Sequence, residues 1–196
     1  MRVACAGLVW NPFATHSMNH DEHESLLVAL VQHGDTAAFE TLLRRLYRPL
    51  HSYVAAMVGD SVAEDVLQEV SLRIYKHIRF LREPRAFRAW AYRIATRIAF
   101  VHLKREKRWR EVESDPDFQH TFPSVVLPLE ESDSGFLSMV DRVSPASRAV
   151  LLLHFQQHLS LEEAAAILDI PVGTAKSRLA YGLATIRRSL EEPKKP

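Results

Sequence analysis

The sequence predicts an all-α protein made of two small helical domains joined by a flexible linker. Apolar residues recur at helical spacing along most of the 196 residues, and no alternating run long enough for a useful strand interrupts them. Periodicity disappears only over 111–135, where prolines and acidic residues collect. The predicted divisions are a disordered extension over 1–20, a first domain over 21–110, an acidic linker over 111–135, a second domain over 136–192 and a tail over 193–196.

The first domain is predicted to begin with two apolar-faced helices. A short helix over 25–31 should end near Gly34, because glycine readily terminates helices. Asp35 can cap the second helix, since its carboxylate accepts hydrogen bonds from free backbone N–H groups. The apolar residues of this second helix mark one buried stripe: Phe39, Leu42, Leu43, Leu46, Leu50, Tyr53 and Val54.

Two further helices complete the first domain. Ser61 and Glu64 have the spacing of a capping box, in which reciprocal side-chain hydrogen bonds start a helix. Pro84 suits the first position of a long helix, because its missing N–H would have no partner there. The predicted buried faces are Val62, Val66, Leu67, Val70, Ile74 and Ile78 in the third helix, and Phe87, Trp90, Ala91, Ile94, Ala95, Ile98 and Leu103 in the fourth.

Residues 159–188 have the pattern of a helix–turn–helix. Ser160 and Glu163 predict a second capping box, and Pro171 interrupts the helix that follows. Another helix starts at about Val172, and a helix presented in this way suits the major groove of DNA. The alternative is a tight helical hairpin with a solvated basic face. Small and basic residues occupy the first two turns of this helix: Gly173, Thr174, Lys176, Ser177 and Arg178.

Charge is distributed unevenly, although the net charge is only +1. Over 85–110 only Glu106 opposes a run of basic residues, whereas 111–135 contains acids and no Lys or Arg. Aromatic residues are interleaved with the basic ones. This combination suits single-stranded nucleic acid, because bases stack on aromatic rings and cations attract phosphates.

Composition argues against several functional classes. Cys5 is the only cysteine, so an internal disulfide is excluded and a reducing compartment is expected. No apolar run approaches the ~20 residues that span a bilayer. The sequence shows no glycine-rich phosphate loop, nucleophile elbow or pair of buried carboxylates. We therefore expect a cytoplasmic protein that is not an enzyme, has no cofactor and does not insert into a membrane.

Two groups of histidines have spacings that a zinc ion can use. His154 and His158 are four residues apart, and His16, His20 and His23 cluster near the start of the chain. Neither group has the cysteine or carboxylate that would complete a tetrahedral site. We interpret these residues as surface histidines and predict no metal site.

Three stretches together resemble an extracytoplasmic-function (ECF, group IV) sigma factor of bacterial RNA polymerase. The family's core-polymerase-binding helix is similar to residues 63–78, AEDVLQEVSLRIYKHI. Its helix that opens and recognises the minus-ten promoter element is similar to 87–108, FRAWAYRIATRIAFVHLKREKR. Its minus-thirty-five helix–turn–helix is similar to 159–179, LSLEEAAAILDIPVGTAKSRL. The resemblance covers 25–190.

The resemblance implies a sigma region 2-like first domain, a region 4-like second domain, and three partners. These are the polymerase core, promoter DNA and an anti-sigma factor that holds the protein inactive. Trp90 also falls on the apolar stripe, which favours a role in the core. The implied contacts are Glu64, Asp65, Gln68 and Glu69 for polymerase; Arg88, Trp90, Arg93, Arg97, Lys104 and Arg105 for the minus-ten element; and Thr174, Lys176, Ser177 and Arg178 for the minus-thirty-five element.

Two other functions stay open at this point. A stand-alone helix–turn–helix regulator would bind operator DNA tightly without polymerase. An adaptor whose helices bind only proteins would keep its function after Lys176→Glu with Arg178→Glu. The stretch 63–78 argues against the stand-alone regulator, because its acidic and amide side chains suit a basic partner helix.

Overall fold

The computed structural model describes the backbone of 14–105 and 139–191, with side chains from residue 22 onward in the first range. No strand occurs within these ranges, so the all-α prediction is confirmed. The predicted linker and tail, and residues 1–13 of the predicted extension, lie outside the described residues. The N-terminal group comprises α1 (Ala14–Gln32), α2 (Thr36–Val58), α3 (Asp60–His77) and α4 (Phe87–Arg105), and the C-terminal group comprises α5 (Pro145–Leu151), α6 (Leu161–Leu168) and α7 (Val172–Glu191).

Side-chain caps start three of the helices, as predicted at Asp35 and Ser160. The Asp35 carboxylate accepts the N–H of Ala38 at 2.9 Å, and the Ser144 hydroxyl accepts that of Ser147 at 3.4 Å. At α6, Ser160 and Glu163 form both bonds of the capping box, at 3.1 and 2.8 Å. Local sequence rules therefore determine where these helices begin.

Three helix starts differ from the prediction. α1 begins at Ala14, so residues 14–20 of the predicted extension are helical. The predicted capping box at Ser61 is wrong: α3 starts at Asp60, because Gly59, with a φ of 89°, turns the chain directly from α2 into α3. Pro84 starts a short 3-10 turn, Pro84–Ala86, and α4 begins after it.

The core of the N-terminal group is centred on α2, which contacts α1, α3 and α4. Tyr53 and Tyr92 are buried there with their rings edge-on, 5.3 Å between centroids. The hydroxyl groups of Tyr53 and Thr96 are 2.7 Å apart and share a hydrogen bond. Burial raises the pKa of both tyrosines, so their hydroxyls stay protonated and remain hydrogen-bond donors.

The C-terminal group is built around α7, which contacts α5 and α6. A π-helical turn, Leu152–Gln156, follows α5. Ala165 of α6, Ala175 of α7 and Val150 of α5 form one buried cluster. Small side chains at these positions let the two helices of the helix–turn–helix approach closely.

The two groups pack against each other and share one continuous core. α4 contacts α6, and α2 contacts both α5 and the π-helical turn. Ile167 of α6 is only 2% exposed and belongs to the same buried cluster as residues of α2, α3 and α4. Sequence patterns predict the two groups but not this contact between them.

Gly182 of α7 should not tolerate a large side chain. A Cβ there would lie 2.7 Å from Cδ1 of the buried Leu151, so we expect Gly182→Leu to lower the free energy of unfolding by about 1–3 kcal/mol. Gly173→Ala, in the same helix, is the control. The added Cβ would meet open space there, so the free energy of unfolding should stay unchanged or rise slightly. Urea unfolding measures both, and equal stability of the two variants would contradict the packing described.

Candidate polymerase and promoter interfaces

The predicted polymerase contacts form one acidic strip on α3, consisting of Glu64, Asp65, Gln68 and Glu69. The first three are exposed and Glu69 is half-buried. They share a face because residues three and four apart are neighbours on a helix. The opposite side of α3 is buried in the core through Ala63, Val66, Leu67, Val70 and Ile74.

Neighbouring helices hold both ends of the acidic strip. The Tyr47 hydroxyl donates to Glu64 Oε1 at 2.6 Å, and this bond raises the pKa of the tyrosine. Glu69 lies 3.2 Å from Arg73 and 3.6 Å from His102 of α4. Asp65 and Gln68, in the middle, have no side-chain partner among the residues described. The centre of the strip is therefore available to a basic partner.

An apolar patch continues the acidic strip toward the end of α3. Leu72 and Tyr75 are 54% and 59% exposed, and they follow Asp65 and Gln68 at helical spacing. The Tyr75 ring packs 5.2 Å from that of Phe39. These two residues are not among the predicted polymerase contacts. Their signal is an apolar position on the face opposite the buried stripe.

A cleft of about 370 Å³ lies where α3, the following loop and α4 meet. We call it the α3–α4 cleft. It brings together Trp90 and Arg97, both predicted minus-ten contacts. Trp90 is half-buried and also packs against the core, so both interpretations of this residue have a structural basis. The lining combines aromatic, apolar and basic side chains: Arg73, His77, Phe80, Leu81, Arg82, Trp90, Ile94, Arg97 and Ile98.

Two predicted minus-ten arginines, Arg88 and Arg93, are bonded to other groups of the protein. Arg88 forms an ion pair with Glu24 of α1, at 3.1 Å, and the glutamate is only 4% exposed. Arg93 donates to the backbone carbonyls of Ala166 and Ile167 in α6. Neither guanidinium lines the α3–α4 cleft.

The remaining basic residues of this set are exposed. Arg97 has 68% of its side chain accessible and lies 3.9 Å from Asp169, a weak surface pair. Lys104 and Arg105 are exposed in the last turn of α4, where cations interact favourably with the helix dipole. The structure thus leaves Arg97, Lys104 and Arg105 accessible to a ligand.

The predicted minus-thirty-five residues lie at the start of α7. Lys176 and Ser177 are exposed, and Thr174 and Arg178 are half-buried. The Ser177 hydroxyl donates to the carbonyl of Gly173 at 3.0 Å. Gly173 adds no side chain on this surface, so the first turn is slim and a groove can approach it.

The described histidines do not form a metal site. His154 Nδ1 donates to the carbonyl of Leu159 at 2.7 Å, and His158 has a φ of 55° after the π-helical turn. Residues 22–105 and 139–191 contain no group of three His, Cys, Asp or Glu side chains able to hold a metal ion. His16 and His20 lie outside the described side chains. Among the described helices, none is both long and apolar enough for a membrane span.

Comparison with known families matches both halves of the chain. Residues 42–109 match Sigma-70 region 2, and residues 135–186 match Sigma-70, region 4. The ECF RNA polymerase sigma-E factor of Escherichia coli strain K12 is 30% identical over 175 residues, which cover 83% of this chain and 91% of the relative. The sigma-H factor of Pseudomonas aeruginosa is 28% identical over 184 residues, covering 87% and 95%.

Solved structures show the same fold. CnrH, in complex with the cytosolic domain of CnrY, is similar with a TM-score of 0.66 and 20% identity, covering 86% of this chain and 97% of that one. RpoE of Bartonella quintana, bound to the anti-sigma factor NepR, has a TM-score of 0.59 and 22% identity, with 80% and 98% covered. Together with the family matches, these findings define a bacterial sigma factor of the region 2 plus region 4 type. The chain belongs to the ECF family of RNA polymerase sigma factors.

The ion pair of Arg88 should contribute to folding, in contrast to the exposed Arg97. We expect Arg88→Met to lower the free energy of unfolding by about 1–3 kcal/mol, because Glu24 would stay buried without its partner. Arg97→Met should change it by less than about 0.5 kcal/mol, as is usual for exposed sites. Chemical denaturation of both variants tests this difference, and an unchanged Arg88→Met protein would contradict it.

Proposed function

We propose that this sigma factor binds polymerase and promoter DNA through three surfaces: the acidic strip, the α3–α4 cleft and the start of α7. The acidic strip binds the polymerase core, the cleft holds an unpaired base of the opened minus-ten element, and α7 enters the minus-thirty-five groove. Family membership makes a stand-alone regulator or an adaptor the poorer explanation, because neither requires polymerase. The protein acts in the cytoplasm and catalyses no reaction itself.

The composition of the α3–α4 cleft is the observation that carries this proposal. A base removed from the duplex needs an aromatic or apolar surface to stack on, and its strand needs cations nearby. Trp90 and Ile94 supply the first requirement, while Arg73, Arg82 and Arg97 supply the second. The volume of about 370 Å³ falls within the range of small-ligand sites.

Exposed charges support the other two assignments. Asp65 and Gln68 are accessible and Leu72 and Tyr75 continue their face, so a partner helix would meet charged and apolar groups together. Lys176 on α7 is exposed at a position from which a long basic side chain can reach guanine.

We also propose that an anti-sigma factor controls the protein. The structure of the Bartonella quintana relative contains the anti-sigma factor NepR, and the fold of that relative is shared. Charged surfaces stay exposed on both halves of this chain, so one inhibitor could cover the polymerase-binding and the DNA-binding side.

Promoter recognition should depend on the first turns of α7. Promoters would first be selected from random duplex DNA with reconstituted holoenzyme. Lys176→Ala with Arg178→Ala should then weaken binding to them roughly tenfold or more, because each good contact to guanine is worth about 1–3 kcal/mol. Arg187→Ala with Arg188→Ala, exposed at the far end of the same helix, is the matched control. Equal losses in the two proteins would contradict specific recognition by α7.

Polymerase binding should depend on the acidic strip. Asp65→Arg with Glu69→Arg should weaken association with core polymerase by at least roughly tenfold, because the introduced arginines would repel a basic partner. Glu40→Arg, an exposed reversal on α2, should bind normally. Surface plasmon resonance with immobilised core measures all three proteins, and normal binding of the doubly reversed variant would place the polymerase contact elsewhere.

A further inference from the structure

Both ends of the acidic strip face a histidine from a neighbouring helix. Nε2 of His51, on α2, lies 3.4 Å from Oε1 of Glu64. Nε2 of His102, on α4, lies 3.6 Å from Oε2 of Glu69. The two side chains are 34% and 22% exposed, so packing holds their rings beside the glutamates. Each end of the strip therefore has its own imidazole.

Tyr47 links the carboxylate and the imidazole at the first end. Its hydroxyl donates to Glu64 Oε1 at 2.6 Å, and its ring centroid lies 5.7 Å from that of His51. The bond to Glu64 raises the pKa of Tyr47, so the tyrosine stays neutral and keeps donating. A change of charge at this end can thus come from His51 while Tyr47 keeps the carboxylate in place.

Arg73 has the corresponding place at the second end. Its guanidinium donates to Oε1 of Glu69 at 3.2 Å, while His102 faces the other oxygen, Oε2. A protonated His102 would give both oxygens a cationic neighbour. Arg73 repels such a proton and Glu69 attracts it. Arg48 and Arg105, each three residues from a histidine on the same helix, also repel it.

Protonation of these histidines changes the charge that a partner meets. Histidine gains its positive charge between about pH 8 and about pH 5, and the charged ring donates from both nitrogens. Two protonated rings would offset two of the three carboxylates of the strip, which are Glu64, Asp65 and Glu69. A basic partner is attracted by negative charge, so its attraction to the strip would fall.

We propose that His51 and His102 are positioning residues that make polymerase binding depend on pH. When protonated, they hold Glu64 and Glu69 in ion pairs within the protein, and when neutral they leave both carboxylates to the partner. This inference rests on the proposed role of the acidic strip. Because polymerase binds the deprotonated form more tightly, binding releases protons and the affinity falls as the pH falls. Asp65 and Gln68 stay exposed, so binding weakens without being abolished.

Surface plasmon resonance with immobilised core polymerase tests this proposal at about pH 7.5 and about pH 6.0, at one ionic strength. His51→Gln with His102→Gln keeps polar side chains at both positions but gains no charge. His23→Gln, at an exposed histidine of α1, is the matched control. All proteins meet the same polymerase, so titration of the polymerase contributes equally to each. Circular dichroism at both pH values checks that every variant is folded.

We expect wild type and His23→Gln to lose roughly fivefold in affinity at the lower pH, beyond any loss of the double glutamine variant. An exposed ion pair changes an equilibrium by up to about fivefold, and two pairs act here. His51→Lys with His102→Lys, charged at both pH values, should bind roughly fivefold more weakly than wild type at the higher pH. Equal pH dependence of wild type and the glutamine variant would overturn the proposal, as would normal binding of the lysine variant.

The charge reversal Asp65→Arg with Glu69→Arg, measured at the higher pH, separates this failure from failure of the proposed function. If the reversal weakens binding while the glutamine variant keeps the pH dependence of wild type, only the role of the histidines is wrong. If the reversal leaves binding unchanged, the polymerase contact of the acidic strip is itself wrong.

Discussion

α4 packs against both halves of the molecule, and its position constrains each of them. Its buried face contains Tyr92 and Ala95 and completes the core around α2. Its other side contacts α6, where Arg93 replaces the hydrogen-bond donor that Pro171 lacks. Because one helix serves both contacts, the packing of the two halves determines which basic side chains of α4 can reach a ligand.

The three proposed interfaces occupy different surfaces, two of which share α3, and a small helical chain can in this way present separate surfaces to several partners. The acidic strip lies on α3, the cleft between α3 and α4, and the groove-binding residues at the start of α7. Each surface has its own chemistry: carboxylates for a basic partner, aromatic rings with cations for a strand, and a slim basic turn for a duplex. Glu69 of the strip pairs with Arg73 of the cleft, so these two surfaces are in contact, whereas the start of α7 has no residue in common with either.

Much of the fold follows from local sequence rules, because caps and periodicity act over a few residues. Asp35 and Ser160 start helices as predicted. The capping box predicted at Ser61 fails because Gly59 adopts a positive φ and starts α3 early. Non-local pairing cannot be obtained in this way: Glu24 and Arg88 are 64 positions apart, and Ile167 is buried only because α6 meets the first half. The composition of the cleft was partly predictable, since Trp90 and Arg97 share one helical face, whereas Phe80 and Arg82 come from the loop before α4.

Reconstituted transcription shows whether this chain gives core polymerase its promoter specificity. Purified core polymerase would be supplied with a genomic fragment library, with and without this protein, and the transcript starts would be sequenced. We expect discrete starts that appear only when the protein is present and that share two upstream elements separated by a constant distance. Unchanged starts with folded, uninhibited protein would contradict it.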